Sequence, residues 1–192
     1  MKNRIIEIIE ESINLKNEII RNHDLCNFIE TTSKEIINCI NNNGKLLICG
    51  NGGSAADAQH IAAEFIGRFM INREALPAIA LTTDSSILTA VSNDYCFDDI
   101  FKRQVDALCS NKDIVIGIST SGNSNNIIKA FQSAKLKGAK TIALLGKGGG
   151  SCKEYADLSF TVPHNESARI QEVHLMIEHI ICELVEINLN KK

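Results

Sequence analysis

The chain has 192 residues, of which 44% are hydrophobic and 22% are charged, and its formal net charge is −3 at pH 7. This length suits a single domain, and the apolar runs are too short for a transmembrane helix. The basic residues form no run longer than a pair such as Lys191 and Lys192 at the end of the sequence, whereas proteins that bind nucleic acid normally present a basic face. We therefore expect neither a nucleic-acid partner nor a membrane partner.

Seven scattered cysteines and an acidic N-terminal segment indicate the compartment. The cysteines are odd in number and form no C-x-x-C pair, so neither a disulfide framework nor a zinc knuckle is predicted. The first residues, M-K-N-R-I-I-E-I-I-E-E, contain no apolar core of a signal peptide. We expect a cytoplasmic protein whose thiols serve as small core residues.

The first 43 residues are predicted to form two helices, because isoleucines recur at helical spacing and the stretch contains neither Pro nor Gly. A polar break at residues 22–24 separates the helices, and Gly44 is suited to a left-handed cap after the second. The first helix has a broad apolar face, which must pack on its own domain or on a second subunit. The isoleucines that recur at helical spacing in this helix are Ile5, Ile6, Ile9, Ile13, Ile19 and Ile20.

From Lys45 onwards, short apolar strands mostly alternate with helical segments. Strands are predicted at residues 45–50, 78–81, 113–118, 140–145 and 158–162, and helices at 54–68, 85–91, 98–108, 124–136 and 166–189. Such a pattern predicts an α/β fold with a parallel sheet and helices on both faces. Ligands of these folds bind beyond the carboxyl ends of the strands, where the strand order reverses.

The first of these strands runs into a glycine-rich turn, G-N-G-G-S-A-A-D at residues 50–57. Glycines let the backbone approach a ligand, and the following helix N-terminus offers N–H groups to an anion, which favours a sugar or phosphate. Gly50, Gly52 and Ala55 also fit the dinucleotide fingerprint G-x-G-x-x-A. The acidic residue that this fingerprint needs, here Asp84, comes about ten residues late. A nicotinamide cofactor and a bare tight turn remain alternatives.

A second loop, S-T-S-G-N-S at residues 119–124, follows the third strand and precedes a helix. Hydroxyl and N–H donors at a helix N-terminus bind a phosphate dianion without Lys or Arg, which suits an acidic protein. The alternative is a helix cap by Ser124 or Asn123. Because one residue suffices for a cap, four hydroxyls favour phosphate; they belong to Ser119, Thr120, Ser121 and Ser124.

Four polar residues on the predicted helices are candidates for acid–base chemistry. His60 and Glu64 have i, i+4 spacing and are therefore neighbours on one helix face. Gln171 and His179 lie two turns apart on the last helix, which is apolar around most of its circumference. Polar groups on a buried helix need partners or a function. A surface contact for the first pair and a structural role for His179 remain alternatives, and we interpret His174 as structural.

Together these segments resemble the phosphoheptose isomerase (sedoheptulose-7-phosphate isomerase) family of the SIS-domain class, over essentially the whole chain. The likeness is carried by C-G-N-G-G-S at residues 49–54, Asp57, His60, Glu64, G-R at 67–68, S-N-D at 92–94, G-I-S-T-S-G-N-S at 117–124 and R-I-Q-E-V-H at 169–174. The resemblance implies a single SIS domain over residues 1–192 with a flavodoxin-like five-stranded parallel sheet. It also implies a homotetramer with active sites at subunit interfaces, in which the helices of residues 1–43 take part in oligomerisation.

The reaction implied by the resemblance interconverts sedoheptulose 7-phosphate and D-glycero-D-manno-heptose 7-phosphate through a 1,2-enediol. It is the first step towards activated heptoses for lipopolysaccharide or capsule. Glu64 and His179 would be the acid–base pair, and no nucleotide cofactor is expected. One zinc ion per subunit would be bound by His60, Glu64, Gln171 and His179. The substrate-binding positions would be Asn51, Gly52, Gly53, Ser54, Asp57, Glu64, Arg68, Asn93, Asp94, Ser119, Thr120, Ser121, Ser124 and Gln171.

A non-catalytic relative of the same fold, the DnaA initiator-associating protein, provides the alternative function. It resembles this chain at residues 78–81 and 167–172. That family lacks the acid at the position of Glu64 and the imidazole at that of His179, whereas this sequence has both. The contrast favours an enzyme over a binding module.

Overall fold

The computed structural model describes residues 1–21 and 23–190. Its strands are β1 (Leu46–Gly50), β2 (Ala78–Ala80), β3 (Ile114–Ser119), β4 (Lys140–Leu145) and β5 (Leu158–Thr161). Its α-helices are α1 (Lys2–Ile20), α2 (His23–Asn41), α3 (Gly53–Ile66), α4 (Ser85–Asp94), α5 (Ile100–Leu108), α6 (Asn125–Leu136), α7 (Cys152–Tyr155) and α8 (Ser167–Leu189). The strands form one parallel sheet in the order β2-β1-β3-β4-β5, so the predicted five-stranded α/β fold is confirmed.

The sheet separates two apolar layers, because alternate residues of each strand point to opposite faces. In β1, Leu46 and Ile48 belong to the cluster that also holds α2, α3 and α8. Leu47 and Cys49 belong to the opposite cluster, which contains residues of α5, α6 and α7. Both faces are therefore covered, and the three central strands are mostly apolar, as buried parallel strands should be.

The two N-terminal helices differ in their relation to this core. Helix α2 buries Leu25, Phe28, Ile29 and Ile36 in the layer that covers the sheet, whereas α1 buries only Leu15 and Ile19. The other isoleucines of the predicted apolar face of α1 are exposed, and they are Ile5, Ile6, Ile9, Ile13 and Ile20. In the single chain, most of that face lacks a partner surface.

Some local predictions were wrong. Asn43, not Gly44, takes the left-handed conformation after α2, with φ of 57°. Gly44 instead meets the Lys112 carbonyl so closely that a Cβ would lie 2.1 Å from its oxygen. The predicted helix at residues 98–108 begins as a 3₁₀ turn, Phe97–Asp99, and the short helix α7 was not predicted. Of the predicted polar break, residue 22 lies outside the described residues, while His23 and Asp24 begin α2.

The strand order reverses between β1 and β3, which are neighbours in the sheet. Gly50 at the end of β1 pairs with Ile118 of β3, the residue directly before the hydroxyl loop. The glycine turn and the hydroxyl loop therefore leave the sheet side by side at the switch point where α/β folds bind ligands.

Five of the seven cysteines are buried, which agrees with their prediction as core residues, while Cys26 is exposed and Cys96 is half-buried. No helix in the described part of the chain combines the length and apolar character that a bilayer span requires.

Candidate active site

The hydroxyl loop forms a tight cluster at the carboxyl end of β3. The Ser119 Oγ lies 3.0 Å from the Ser124 Oγ and 3.4 Å from the Ser121 Oγ, and it accepts the Gly122 N–H at 3.1 Å. Ser124 occupies the N-cap position of α6, yet its hydroxyl faces Ser119 instead of capping the helix. The arrangement thus favours an anion site over the simple cap considered above.

Gly122 shapes this loop by its conformation and by its closeness to the neighbouring loop. Its φ is +66°, and a Cβ at this position would lie 2.1 Å from the Gly149 carbonyl oxygen. Only glycine fits both conditions without strain. Beside it, the Thr120 Oγ1 lies 3.3 Å from the Ser167 Oγ at the start of α8, so the hydroxyl loop also contacts the last helix.

The glycine turn is fixed by two amides. Asn51 and Asn126 exchange two side-chain hydrogen bonds of 2.9 Å each, which join the turn to the first residues of α6. Gln171 lies so close to Gly53 that a Cβ there would be 2.3 Å from its Nε2. Ser54 is buried in the first turn of α3. The turn is thereby held against both α6 and α8.

His60, Glu64 and His179 meet where α3 packs on α8. The Nε2 atoms of His60 and His179 are 2.8 Å apart, at hydrogen-bond distance, and the rings are edge-on with centroids separated by 5.1 Å. The His60 Nε2 lies 3.6 Å from the Glu64 Oε1, and the Glu64 side chain is 22% exposed. The ring of Phe69 packs on His179 with a centroid distance of 5.6 Å. A half-buried carboxylate thus adjoins two linked imidazoles.

Two further carboxyl groups lie deeper between these helices. Asp57 is half-buried, and burial raises its pKa although the charge of His60 opposes the rise. Glu178, next to His179 in sequence, is 2% exposed, and neither of its carboxylate oxygens has a hydrogen-bond partner among the described residues. Burial and the nearby negative charge of Asp57 raise the pKa of Glu178 to about 8. Glu178 is therefore mostly protonated at pH 7, and it packs in the apolar layer.

Besides Gly52 and Gly53, three predicted substrate-binding residues are exposed in the single chain. Arg68 follows α3, and Asn93 and Asp94 end α4. The Asn93 Nδ2 donates to the Asp94 Oδ1 at 2.8 Å, so the structure joins these two residues to each other. By contrast, Ser54 is buried, Asp57 and Gln171 are half-buried, and Asp57 lies close enough to His60 to feel its charge.

His174 has the structural role predicted for it. Its ring is fully buried, and its Nε2 lies 3.0 Å from the Leu145 carbonyl oxygen. Burial lowers the pKa of His174 to about 4, so the ring is neutral at pH 7. It supports the contact between α8 and β4.

Several residues of this region were missed in the sequence, namely Phe69, Asn126, Ser167 and Glu178. Asn126 had a usable signal, since the first turn of a helix after β3 faces the turn after its neighbour β1. Phe69 had none, because it lies in an irregular segment where no periodicity predicts the direction of a side chain.

The donor set has the chemistry that zinc binds in proteins, which is imidazole nitrogen and carboxylate oxygen. Within residues 1–21 and 23–190, however, no three His, Cys, Asp or Glu side chains are arranged as a ready metal site. Two nitrogen ligands of a tetrahedral zinc ion are about 3.3 Å apart, so the two rings would have to separate by about 0.5 Å to admit the ion. The donor chemistry of His60, Glu64 and His179 therefore suits zinc, and zinc at this site stays a prediction.

Comparison with known proteins defines the family. Residues 9–146 match the SIS domain family. A protein named phosphoheptose isomerase from Sulfurimonas denitrificans is 50% identical over 186 residues, which cover 97% of this chain and 95% of the relative. The chain belongs to the phosphoheptose isomerase family. Membership places it among the isomerases, and a Geobacter sulfurreducens member is 60% identical over 142 residues, or 74% of this chain and 75% of that one.

Solved structures of family members share the whole architecture. A phosphoheptose isomerase from Neisseria gonorrhoeae superposes with a TM-score of 0.90 at 42% identity, covering 97% of this chain and 98% of the other. One from Francisella tularensis gives 0.92 at 39% identity, covering 96% and 97%. The two N-terminal helices and the long α8 are thus part of the shared family fold.

Proposed function

We propose that the protein interconverts sedoheptulose 7-phosphate and D-glycero-D-manno-heptose 7-phosphate through a 1,2-enediol. The observation that carries this proposal is the contact of His60 with both Glu64 and His179 between α3 and α8, two helices whose first turns lie at the sheet edge that bears the hydroxyl loop. An aldose–ketose isomerase needs this combination of a base, a proton carrier for the sugar oxygens and a remote anion site. The names of the close relatives support the same substrate class.

Glu64 is the proposed base. It removes a proton from C1 of the ketose, which leaves the electron pair in the 1,2-enediol, and returns a proton to C2 to give the aldose. Meanwhile the hydroxyl proton on O1 must leave and O2 must gain one. His179 transfers protons between these oxygens, and its hydrogen bond with His60, which a bound zinc ion would replace, orients its ring in the metal-free chain. Atoms and charge balance over the cycle.

The hydroxyl loop provides binding energy far from the reacting carbons. The loop hydroxyls and the first N–H groups of α6 bind the phosphate, and this binding holds C1 and C2 against Glu64. Asn51, Gly52, Gly53 and Gln171 line the sugar path between the two ends, with Asp57, Arg68, Asn93 and Asp94 as its further contacts. This assignment follows the family resemblance.

Zinc is proposed as the metal of this site, held by His60, Glu64, Gln171 and His179. When bound, it would supply a Lewis acid for the substrate carbonyl oxygen. We expect the purified protein to contain about one zinc ion per subunit by metal analysis, and exhaustive dialysis against a chelator to lower activity in a manner that added zinc reverses. Full activity with no metal present would refute the zinc proposal and leave the roles of Glu64 and His179 intact.

The central experiment follows the reaction by NMR with sedoheptulose 7-phosphate as substrate. Glu64→Gln is expected to lower kcat at least about a hundredfold, the range for loss of a positioned base, while calorimetry shows that the ketose phosphate still binds. Glu183→Gln, an exposed position on α8, is the matched control and should retain activity. An inactive wild-type protein would refute the proposed function, and normal turnover by Glu64→Gln would refute the base assignment alone.

The wider setting is also proposed. The enzyme works in the cytoplasm as a homotetramer with active sites between subunits, and its product enters the formation of activated heptoses for lipopolysaccharide or capsule. The free thiols and the exposed isoleucine face of α1 support the first two statements. The exposure of Arg68, Asn93 and Asp94 in the single chain supports a site completed by a second subunit.

A further inference from the structure

The segment that joins α3 to β2, residues 67–77, has no regular secondary structure, yet it carries two residues of the candidate site. Arg68 is a proposed substrate contact, and Phe69 packs on the ring of His179. Below, this stretch is called the α3–β2 segment. Irregular backbone keeps one conformation only where its polar groups find defined partners.

A single buried carboxylate supplies these partners. Glu186 on α8 is 1% exposed, and it accepts the consecutive backbone N–H groups of Phe69, Met70 and Ile71 at 2.9, 2.6 and 2.8 Å. The Arg73 Nε donates to the same carboxylate at 3.0 Å. Three successive N–H groups around one anion form a concave nest of the kind that binds ions. Burial alone would raise the pKa of Glu186, but these N–H groups and Arg73 lower it, so the group is ionised.

The Glu186 carboxylate and its donors are called the anchor. Arg73 connects the anchor to α3, the helix that carries the proposed base. Its Nη2 donates to the Glu64 carbonyl oxygen and its Nη1 to the Phe65 carbonyl oxygen, both at 2.8 Å. These carbonyls belong to the last turn of α3, where backbone acceptors lack intrahelical donors. The guanidinium therefore caps α3 at the backbone of Glu64 itself, and its planar fork suits this task in a way that a Lys ammonium does not.

Glu186 and His179 are seven residues apart on α8, which places them on nearly the same helix face two turns from each other. The anchor thus fixes the α3–β2 segment to the same helix that supplies the proposed proton carrier. Arg73 contacts the backbone of Glu64, and Glu186 contacts the backbone of Phe69, whose ring packs on His179. Among the described residues, no hydrogen bond joins Glu186 or Arg73 to the side chain of Glu64 or His179.

We propose that Glu186 and Arg73 are positioning residues for the isomerase reaction: they hold Phe69 against His179 and fix the end of α3, so that Glu64 and His179 keep their relative geometry. The inference rests on the proposed function for its catalytic consequence. A displacement of about 1 Å at a catalytic group costs about a hundredfold in rate. Loss of the anchor should therefore lower kcat much more than it changes KM.

The chain offers a matched control at the other end of the sheet. Asp113 is also a buried carboxylate with four donors, which are the backbone N–H and ammonium of Lys45 and the backbone N–H and hydroxyl of Ser110. It precedes β3 and so lies at the amino edge, opposite the site. Glu186→Gln and Asp113→Asn each remove one negative charge. In each variant, the new amide NH₂ group faces hydrogen-bond donors that the carboxylate accepted.

The experiment compares the steady-state kinetics and the NMR resonance of the His179 ring between the wild-type enzyme and both variants. We expect both to lower the unfolding temperature by comparable amounts. Glu186→Gln alone should reduce kcat about tenfold or more, shift the His179 Cε1–H resonance at fixed pH through the changed Phe69 ring current, and speed amide exchange at residues 69–71. Equal kcat and an unshifted His179 resonance in folded Glu186→Gln would overturn the proposal.

A second variant covers the case in which Glu186→Gln does not fold. Arg73→Lys keeps the charge but cannot bind Glu186 and both α3 carbonyls together, so we expect a loss of kcat and a smaller His179 shift. Wild-type values of both in Arg73→Lys would also overturn the proposal. If the wild-type protein does not act on sedoheptulose 7-phosphate, the proposed function fails, whereas the His179 resonance and the amide exchange still decide whether the anchor holds the ring.

Discussion

The Ser119 hydroxyl has two roles, one in closing the hydroxyl loop and one in the proposed binding of substrate, and a single substitution removes both. Its hydroxyl accepts the Gly122 N–H, which closes the hydroxyl loop, and it also lies within reach of the Ser121 and Ser124 hydroxyls. Ser121 contributes the second hydroxyl of the cluster and accepts the Asn123 N–H at 3.2 Å. Substrate binding and loop closure must therefore be measured together.

We predict that Ser119→Ala combined with Ser121→Ala raises KM at least about tenfold with a smaller change in kcat. Each hydrogen bond to a charged group contributes about 1.5–3 kcal/mol, and the phosphate is bound in the ground state and the transition state alike. Steady-state kinetics and competitive inhibition by inorganic phosphate measure the effect. Ser159→Ala on the edge strand β5 is the control and should match the wild type; a defect confined to kcat would contradict the phosphate role.

Sequence spacing predicted the contact between His60 and Glu64 but not the contact between His60 and His179. His60 and Glu64 are one helical turn apart, so their neighbourhood followed from the 3.6-residue period, and they lie 3.6 Å apart. His60 and His179 are 119 residues apart in sequence, and no local period connects them. Only the family resemblance placed them together before the structure did.

At the scale of elements, the strands were the most predictable part. The central strands are short and mostly apolar, and β4 matches its predicted bounds, residues 140–145. Helix α7 was missed because four residues are too few to show a helical period. Asp84, considered above as the acid of a dinucleotide site, instead caps α4 by accepting the Ile87 N–H at 2.9 Å.

The α3–β2 segment shows where prediction from sequence ends. The predicted helix ran to Arg68, whereas α3 stops at Ile66, and the irregular residues that follow are fixed by Glu186 from a distance of more than 100 residues along the chain. Local propensity carries no information on such a contact, because the carboxylate that orders the segment is contributed by another element. In the sequence, Glu186 has the same appearance as any polar residue near the end of a helix.

At the scale of the whole molecule, the sequence predicted a parallel sheet covered on both faces, while the order of its strands followed only from the resemblance. In the single chain, the exposed isoleucines of α1 leave a broad apolar face uncovered. Beside the isoleucine face of α1, a groove of about 400 Å³ lies between the first two helices and α8. Its apolar lining consists of Ile20, Leu25, Cys26, Ile29, Met176, Ile180 and Leu184.

We predict that this region is buried between subunits and that sedimentation finds a tetramer. Full burial of an isoleucine side chain contributes about 1.5–3 kcal/mol, so Ile9→Glu on the exposed face of α1 should shift the equilibrium towards smaller species and lower activity with it. Leu136→Glu is the control, because Leu136 is 91% exposed on α6, away from that face. A wild-type monomer with full activity would contradict both the assembly and the shared site, whereas a tetramer unaffected by Ile9→Glu would exclude this face from the interface.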